Sequence, residues 1–264
     1  WARLELEGFN LIDFGTESFE YHLRKSSKII SSHLDKYINN YFGDEYEYSK
    51  DFIFLQHGVT KDNLSAWFNT KKNLQCIITS TKPEYQSLVE NNGPYKLTEK
   101  DVVLTGFPRH DELLANNIFD NKVVLIMPTW RQGIMGNVIG NGNTRVINEG
   151  FMETNYAKHW YNLLHSQRLE KLVEKYDYKI IFAPHANIEP YIAMFDVPCH
   201  IDIWQARTAT TSMQQLFQQA KLMITDYSSV AFEMGLLSKT VIYYQFDRDE
   251  AFSGGHTYQQ GYFS

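Results

Sequence analysis

The fold of this chain is decided by the stretch Ile224-Thr225-Asp226-Tyr227-Ser228-Ser229-Val230-Ala231-Phe232-Glu233. An apolar run ending at Ile224 breaks there into small hydroxyl residues before a second apolar segment begins, which predicts a strand that leads into a helix N-terminus. Backbone N–H groups in a first helical turn have no partner within the helix and carry the positive end of its dipole. We therefore expect a phosphate group, such as that of a nucleotide diphosphate, to bind at Ser228 and Ser229. A plain helix cap formed by Asp226 or Ser228 fits the same residues.

Two further apolar runs end on a histidine. They are Phe52–Gly58, which contains His57, and Tyr178–His185. In open α/β sheets ligands bind beyond the carboxyl ends of the strands, so we expect these two ends and the 224–233 turn to face one cleft. Gly58 allows close approach of backbone and ligand. Each histidine taken alone also fits a structural role.

Strand and helix patterns alternate along the chain, which predicts an α/β fold of parallel sheets joined by crossover helices. A polar interruption at Leu114–Asn121 predicts a boundary between two doubly wound, Rossmann-like domains, residues 1–118 and 119–264. The expected strands are Phe52–Leu55, Cys76–Thr79, Val102–Thr105, Val123–Met127, Lys179–Ala183, Leu222–Thr225 and Val241–Tyr244. The expected helices are 17–42, Pro83–Glu90, Tyr156–Tyr176, Ser212–Ala220 and Ser229–Leu237.

Composition limits the class of protein. With 264 residues, of which 43% are hydrophobic and 15% aromatic, the chain has enough apolar material for a substantial core. The 25 Lys and Arg against 31 Asp and Glu give a net charge of −6, which argues against a nucleic-acid partner. Cys76 and Cys199 lack disulfide or zinc spacing, so a reducing cytoplasm is expected. No apolar run approaches the roughly 20 residues that span a bilayer.

Several local patterns leave particular functions open or argue against them. The basic cluster Arg24, Lys25 and Lys28 leaves peripheral contact with anionic lipid open, beside a solvated helix face. Without a Walker A loop or a G-x-G-x-x-G after a strand, ATPase and dehydrogenase functions have little support. No spacing predicts a metal cage or a tightly bound cofactor, while a Mg2+ ion loosely held by a diphosphate stays open. The stretch Gly133–Asn143 predicts a mobile loop, either a lid or a passive insertion.

Four segments together resemble the CDP-glycerol glycerophosphotransferases, which build teichoic acids and related capsular polymers. They are Leu55–Gly58, Thr105–Asp111, Met127–Arg131 and Asp226–Ser229. Their order and spacing match the family from about residue 50 to the end of the chain. The family usually has asparagine where this chain has His110, so the resemblance assigns that residue no role.

This resemblance implies a two-domain, glycosyltransferase-B-like architecture with the reaction in the cleft between the domains. Residues 119–264 would bind CDP-glycerol, and residues 1–118 would form an incomplete acceptor-side domain of a longer polypeptide. The implied reaction is attack by a hydroxyl of a polyol phosphate or glycan acceptor on the β-phosphorus of CDP-glycerol, with release of CMP. The implied location is the cytoplasm, with peripheral contact at the inner face of the cell membrane.

Within this scheme His57 is the expected general base, because the family places its catalytic histidine in this motif and an imidazole suits proton transfer near neutral pH. His185 would either stabilise the diphosphate as a cation or protonate the leaving phosphate. Arg131 and Arg109 would both add positive charge, and Arg131 is the one expected to contact phosphate. Asp226 would fix the first turn of its helix or orient a histidine. Glu233 would reach the ribose hydroxyls. The expected substrate-binding residues are Gly58, Arg109, Thr129, Arg131, Asp226, Ser228, Ser229 and Glu233.

Two alternatives stay open at this point. A sugar-nucleotide glycosyltransferase or epimerase of the same fold would also use a phosphate-binding helix and a histidine at a strand end. A non-catalytic polymer-binding module would instead stack sugars on exposed tryptophans and use the histidines structurally. The tryptophans considered for that role are Trp67, Trp130, Trp160 and Trp204.

Overall fold

A computed structural model describes residues 2–34, 50–71, 73–137, 145–206 and 208–255. The chain divides into two compact units. The first contains Trp1–His57 and Ser65–Gly106, and the second contains Gly58–Leu64 and Phe107–Ser264.

The first unit is built on a parallel sheet whose described strands lie in the order β1-β2-β3-β4. Its buried residues include the alternate residues Phe52 and Phe54 of one strand, together with Phe68, Ile77 and Leu88. The Phe54 and Phe68 rings are in contact, with centroids 6.0 Å apart. The strands are β1 (Lys28–Ser31), β2 (Asp51–Phe54), β3 (Leu74–Thr79) and β4 (Val102–Leu104). The helices are Ala2–Leu6, Glu17–Lys25, Ser65–Phe68 and Lys82–Val89.

The prediction of a single helix over residues 17–42 is wrong after Lys25. The helix is Glu17–Lys25, and Lys28–Ser31 forms the edge strand β1, paired in parallel with Asp51–Phe54. Two β-branched isoleucines in the edge segment favour extended backbone, and ladder pairing with β2 outweighs the helical spacing of the apolar residues. Residues 35–42 of the predicted helix lie outside the described part of the chain.

The second unit is built on a larger parallel sheet, whose described strands lie in the order β7-β6-β5-β8-β9. These strands are β5 (Val123–Met127), β6 (Lys179–Phe182), β7 (Ile201–Ile203), β8 (Leu222–Thr225) and β9 (Thr240–Tyr243). The α-helices are Arg109–Ala115, Asn155–Leu164, Gln167–Tyr176, Met213–Gln219, Ala231–Leu236 and Arg248–Glu250. Shorter 3-10 segments occur at Gln132–Ile134, Phe151–Glu153 and Glu189–Phe195, and a π-helical turn at Ala251–Gly255.

Alternate residues of the central strand β5 enter two different cores. Val124 and Ile126 pack in a cluster with Trp160, while Leu125 and Met127 pack in a second cluster on the opposite face. Successive side chains of a strand point to opposite faces of a sheet, so both faces of this sheet are covered. The predicted α/β class with parallel, doubly wound sheets is therefore confirmed.

All of the strands predicted from apolar runs are present, with ends that shift by at most two residues. The predicted helix Tyr156–Tyr176 is two helices, Asn155–Leu164 and Gln167–Tyr176. The break occurs because the Ser166 hydroxyl accepts a hydrogen bond from the Leu169 N–H and caps the second helix.

The division between the units falls between Gly106 and Phe107 rather than between residues 118 and 119. The helix Arg109–Ala115 accounts for the difference, because its fully buried Leu113 packs in a core cluster of the second unit. The polar interruption that follows this helix is therefore a surface connection within the second unit.

Some predicted features fall outside the described residues. Of the predicted loop Gly133–Asn143, residues 138–143 lie outside them, while a 3-10 turn covers Gln132–Ile134 and Met135 is buried. The lid interpretation stays a prediction. In the part of the chain that the structure describes, no helix has the length and apolar character needed to cross a membrane.

Candidate functional site

The carboxyl ends of three neighbouring strands meet at one edge of the second unit's sheet. From the central strand β5 the chain moves to β6 on one side and later returns to β8 on the other side. In doubly wound sheets this reversal of strand order opens a crevice beyond the strand ends, where ligands bind. The sequence placed its polar motifs directly after these three strands, so the topology brings them to one edge.

Asp226 joins the end of β8 to the end of β5. Its side chain is fully buried, and its Oδ1 accepts hydrogen bonds from the backbone N–H groups of Thr129 (2.9 Å) and Tyr227 (2.8 Å). Below this contact the Thr225 hydroxyl donates to the Met127 carbonyl at 2.7 Å. Asp226 therefore ties two strand ends together, a role different from the expected capping of the following helix.

Arg131 is buried in the same cluster, with 4% of its surface exposed. Its Nη2 donates to Asp226 at 2.7 Å, its Nε donates to Asp247 at 2.9 Å, and its Nη1 donates to the Thr129 carbonyl at 2.9 Å. Burial alone would lower the pKa of Arg131, but the two carboxylates outweigh it and raise the pKa. This geometry differs from the expected phosphate contact, because all three guanidinium nitrogens already donate within the protein.

Two tyrosines enclose the Arg131 guanidinium. Its central carbon lies 4.8 Å from the ring centroid of Tyr227 and 5.1 Å from that of Tyr156. The Tyr227 hydroxyl donates to Asp247 at 3.2 Å, and burial together with that carboxylate raises the tyrosine pKa. The cluster is thus a packed ionic network that fixes the backbone of both strand ends.

Thr129 has a mixed environment. Its backbone N–H is bound by Asp226, and its Oγ1 is buried without a hydrogen-bond partner among the described residues. A buried hydroxyl without a partner carries a desolvation cost, which a bound polar ligand or water would remove.

Ser228 and Ser229 form the turn that leads from β8 into the helix Ala231–Leu236. The Ser228 carbonyl accepts from the Ala231 N–H at 3.2 Å, and the Ser228 Oγ accepts weakly from Val230 N–H at 3.4 Å. Both serines are half-buried. Both therefore precede the helix, whereas the expected helix began at Ser229.

Gly58 lies against this serine turn, within the same unit. A Cβ added at Gly58 would lie 2.7 Å from the Ser229 Oγ and 3.4 Å from its Cβ. Since that first distance is too short for a real contact, a side chain at position 58 would force the serine hydroxyl to move. Absence of a side chain at Gly58 gives Ser229 its space.

His185 follows β6 and stacks on Trp130, which follows β5. The ring centroids are 5.9 Å apart with an angle of 26° between the planes. His185 Nδ1 accepts a hydrogen bond from the Asn187 N–H at 3.1 Å, so a neutral ring carries its proton on Nε2. The residue is exposed in part, and desolvation by its surroundings lowers the imidazole pKa. His185 is therefore a neutral hydrogen-bond donor near pH ~7.

Glu233 is held by two neighbouring residues of another helix. Arg109 Nη2 donates to its Oε1 at 2.6 Å, and His110 Nε2 lies 2.9 Å from its Oε2. Burial would raise the pKa of Glu233, but the contacts with His110 and Arg109 outweigh burial and lower it. This geometry differs from the expected ribose contact, because Oε1 already accepts from Arg109 and Oε2 lies close to His110. Only proximity in the fold reveals this cluster, which joins residues more than a hundred positions apart in sequence.

His57 belongs to the first unit and is exposed. Its Nδ1 lies 3.2 Å from the carbonyl oxygen of Ser32, and its ring stacks on His33 with centroids 5.3 Å apart and planes within 7°. When Nδ1–H donates to that carbonyl, Nε2 is the basic nitrogen of the neutral ring. Sequence reasoning missed His33, which follows the unpredicted strand β1.

Two of the tryptophans considered for sugar stacking are core residues. Trp160 is fully buried and Trp204 is nearly so. Neither can present its ring to a polymer, which weakens the interpretation as a non-catalytic binding module. Among the described residues, no group of three or more His, Cys, Asp or Glu side chains is arranged to hold a metal ion.

Comparison with known proteins decides the family. The sequence profile of the CDP-Glycerol:Poly(glycerophosphate) glycerophosphotransferases matches residues 4–254. The chain belongs to this glycerophosphotransferase family. The match covers both units, so the similarity to the family is not limited to the four short segments and extends over nearly the whole chain.

Individual relatives agree with the family. The chain is 38% identical over 233 residues to the minor teichoic acid biosynthesis protein GgaB of Bacillus subtilis, covering 86% of this chain and 25% of that protein. It is 23% identical to a teichoic acid glycerol-phosphate transferase of Staphylococcus aureus, covering 73% of this chain and 47% of that protein. A solved structure of the wall teichoic acid polymerase TagF shares the fold, with a TM-score of 0.61, 16% identity, and coverage of 95% of this chain and 60% of that one.

The chain spans about a quarter and about half of the lengths of these two curated relatives, 25% and 47%. Its strand-end motifs fall inside the matched region. The relatives therefore define the family of this segment and its fold.

Proposed function

We propose that this chain is part of a transferase that moves glycerol phosphate from CDP-glycerol to a hydroxyl of a growing teichoic acid or related capsular polymer, releasing CMP. The observation that carries the proposal is the family match over residues 4–254. The 38% identity to a teichoic acid biosynthesis protein favours the same class of polymer.

In this proposal the donor binds at the crevice beyond β5, β6 and β8, and the domain that contains residues 119–264 carries the nucleotide. Three features support this position. The crevice lies at the reversal of strand order, and half-buried Ser228 and Ser229 supply hydroxyl and amide donors after β8. His185, which follows β6, supplies Nε2–H at the same edge of the sheet. In this proposal Asp226, Arg131 and Glu233 do not contact the donor but hold the strand ends and the serine turn in position.

The chemistry needs a base for the attacking hydroxyl. We assign this role to His57, whose Nε2 would accept the proton as the acceptor oxygen forms a bond to the β-phosphorus of the donor. The bond that breaks joins this phosphorus to the oxygen bridging it to CMP, and CMP departs with that bonding pair. His185 Nε2–H and the serine donors would stabilise charge that develops on the transferring phosphoryl group and on CMP.

The acceptor in this proposal is a polyol phosphate or glycan end, and the reaction takes place on the cytoplasmic face of the membrane. A Mg2+ ion carried by the diphosphate is compatible with this scheme and would need no dedicated protein cage. Support for the acceptor class comes from the teichoic acid functions named for the two relatives.

The test is to incubate the full-length protein with CDP-glycerol and a short poly(glycerol phosphate) primer, and to measure CMP release and primer elongation. UDP-sugars in place of CDP-glycerol test the sugar-nucleotide alternative. We expect CMP and elongation with CDP-glycerol, and a His57→Ala loss of turnover of about 100-fold. Release of UDP instead, or of no nucleotide with any donor, would refute the proposed function.

A further inference from the structure

The backbone just before His57 has an uncommon conformation. Gln56, two residues after β2, has a φ of 58°, in the left-handed region where glycine is favoured and longer residues are rare. Its side chain is buried, with 4% of its surface exposed. Such conformations persist only where the surroundings hold them, and they are often found beside functional residues.

The Gln56 side chain contacts a buried carboxylate. Glu84 lies in the first turn of the helix Lys82–Val89 and has none of its surface exposed. Its Oε1 accepts a hydrogen bond from Gln56 Nε2 at 3.3 Å, and its Oε2 accepts one from the Ser80 N–H at 2.9 Å. The positive end of the helix dipole favours a carboxylate at this position.

These contacts join into one arrangement around His57. Glu84 fixes the Gln56 side chain, and the left-handed backbone at Gln56 sets the direction in which the chain presents the next residue. The imidazole of His57 is then fixed at its other side, through Nδ1 beside the Ser32 carbonyl. The ring is therefore oriented both by its backbone and by the contact at Nδ1, which leaves Nε2 as the nitrogen that would act as the base.

We propose that Glu84 and Gln56 are positioning residues that hold His57 in the geometry needed to take a proton from the acceptor hydroxyl. This inference rests on the function proposed above, in which His57 is the base. A glycine at position 56 would adopt the same backbone conformation without strain, and it would not need a contact with a buried carboxylate to hold it there. The glutamine and glutamate provide what glycine lacks, a side-chain anchor that restricts the turn to one direction.

The test compares Gln56→Gly, Glu84→Gln and His57→Ala in the full-length protein, with CDP-glycerol and a poly(glycerol phosphate) primer. Gln56→Gly keeps the left-handed backbone accessible and removes the side chain that contacts Glu84. The matched control is Asn73→Gly, since Asn73 has the same φ of 58° in the same unit, directly before β3. Steady-state kcat and KM for CDP-glycerol are measured together with the thermal unfolding midpoint.

We expect Gln56→Gly to lower kcat by about 10- to 100-fold while KM for CDP-glycerol changes less than about 2-fold. Asn73→Gly should leave both within about 2-fold of the parent. In the His57→Ala background, Gln56→Gly should cause no further loss, because a positioning residue has no effect once the group it positions is gone.

Each other outcome has a definite meaning. Full activity of Gln56→Gly alongside a His57→Ala loss overturns the positioning role and leaves the proposed function intact. Multiplicative losses in the double variant also overturn it, since they indicate a general effect on the fold. Full activity of His57→Ala refutes the assignment of the base itself, independently of Gln56. If Glu84→Gln does not fold, Gln56→Gly alone decides the question.

Discussion

The guanidinium of Arg131 lies 2.7 Å from the carboxylate of Asp226, and both side chains are almost completely buried. A second buried carboxylate, Asp247, binds the same guanidinium at 2.9 Å. Together they fix the ends of β5 and β8, the two strands between which the candidate site lies. The ion pair thus stabilises the two strand ends that position the candidate site.

The first prediction is that Arg131→Met lowers the free energy of unfolding by about 3–5 kcal/mol, because it leaves Asp226 and Asp247 buried without their cation. Urea denaturation followed by tryptophan fluorescence measures this change. The control is Arg24→Met, which breaks the exposed pair with Glu20 (3.8 Å) and should cost at most about 1 kcal/mol. Equal effects of the two variants would contradict a structural role for the buried cluster.

The second prediction concerns the contact between Gly58 and Ser229. Gly58→Ala would place its Cβ 2.7 Å from the Ser229 Oγ, so the hydroxyl must rotate away from its position. If that hydroxyl contacts the donor phosphate, Gly58→Ala should weaken CDP-glycerol binding by about 10-fold, the value of one hydrogen bond to a charged group. Isothermal titration calorimetry measures the affinity.

A second variant separates this effect from general disturbance. In a Ser229→Ala background the clashing oxygen is absent and the remaining contact is 3.4 Å, so Gly58→Ala should change the affinity by less than about 2-fold. Gly235→Ala serves as the control, because a Cβ there meets nothing within 4 Å. A 10-fold effect of Gly58→Ala in both backgrounds would exclude the serine hydroxyl as the cause.

The third prediction concerns acid stability through Glu233. Its pKa in the folded protein lies below the ordinary glutamate value of 4.5, because His110 and Arg109 outweigh the opposing effect of burial. A carboxyl group of this kind stabilises the fold above pH 4.5, and the stabilisation is lost as the pH falls through the folded-state pKa. Glu233→Gln should therefore destabilise the protein at about pH 7, by about 1–3 kcal/mol, and much less at about pH 3.

Denaturant unfolding at both pH values measures this difference. Glu153→Gln is the matched control, because Glu153 is 84% exposed and its pair with Lys158 lies at the surface. That control should change stability by less than about 0.5 kcal/mol at either pH. A Glu233→Gln deficit that is equally large in acid would show that packing, and not the ionised carboxylate, accounts for it.

The sequence predicted most of the sheet because continuous apolar runs such as Val123–Met127 are typical of parallel strands buried on both faces. It missed Lys28–Ser31 and Ile201–Ile203. These strands lie at sheet edges with one or more exposed residues, so their short patterns lack that apolar continuity. Edge strands of this kind are specified mainly by the neighbour with which they pair.

The site was predictable only in part. Strand-end motifs located Ser229 and His185 because parallel topology gathers carboxyl ends, which is a rule that operates along the sequence. The partners of Arg131 lie 95 and 116 positions away, and those of Glu233 more than 120 positions away. No periodicity or spacing encodes such pairs. Both residues were therefore expected to bind ligand, whereas in the structure Arg131 pairs with Asp226 and Asp247, and Glu233 contacts two basic side chains of another helix.

The last prediction concerns the pH dependence of donor binding through His185. Desolvation lowers the pKa of this imidazole from the ordinary 6.5, so the ring is neutral in the free protein near pH ~7. An adjacent diphosphate would favour the imidazolium and raise the pKa of His185. At a pH between the pKa of the free protein and that of the complex, binding of the donor is therefore accompanied by uptake of a proton. CDP-glycerol itself has no group that titrates there, because both ends of its diphosphate are esterified. We expect its affinity to rise by about 3- to 10-fold as the pH falls from about 8 to about 6.

Titration calorimetry at the two pH values, in buffers with different ionisation enthalpies, measures both the affinity and the proton uptake. His185→Asn should bind CDP-glycerol with an affinity that no longer depends on pH over this range. His165→Asn is the control, because its ring lies between the carbonyls of Tyr161 and Asp196, and it should keep the parent's pH dependence. An unchanged pH dependence in His185→Asn would place the titrating group elsewhere and remove His185 from the phosphate site.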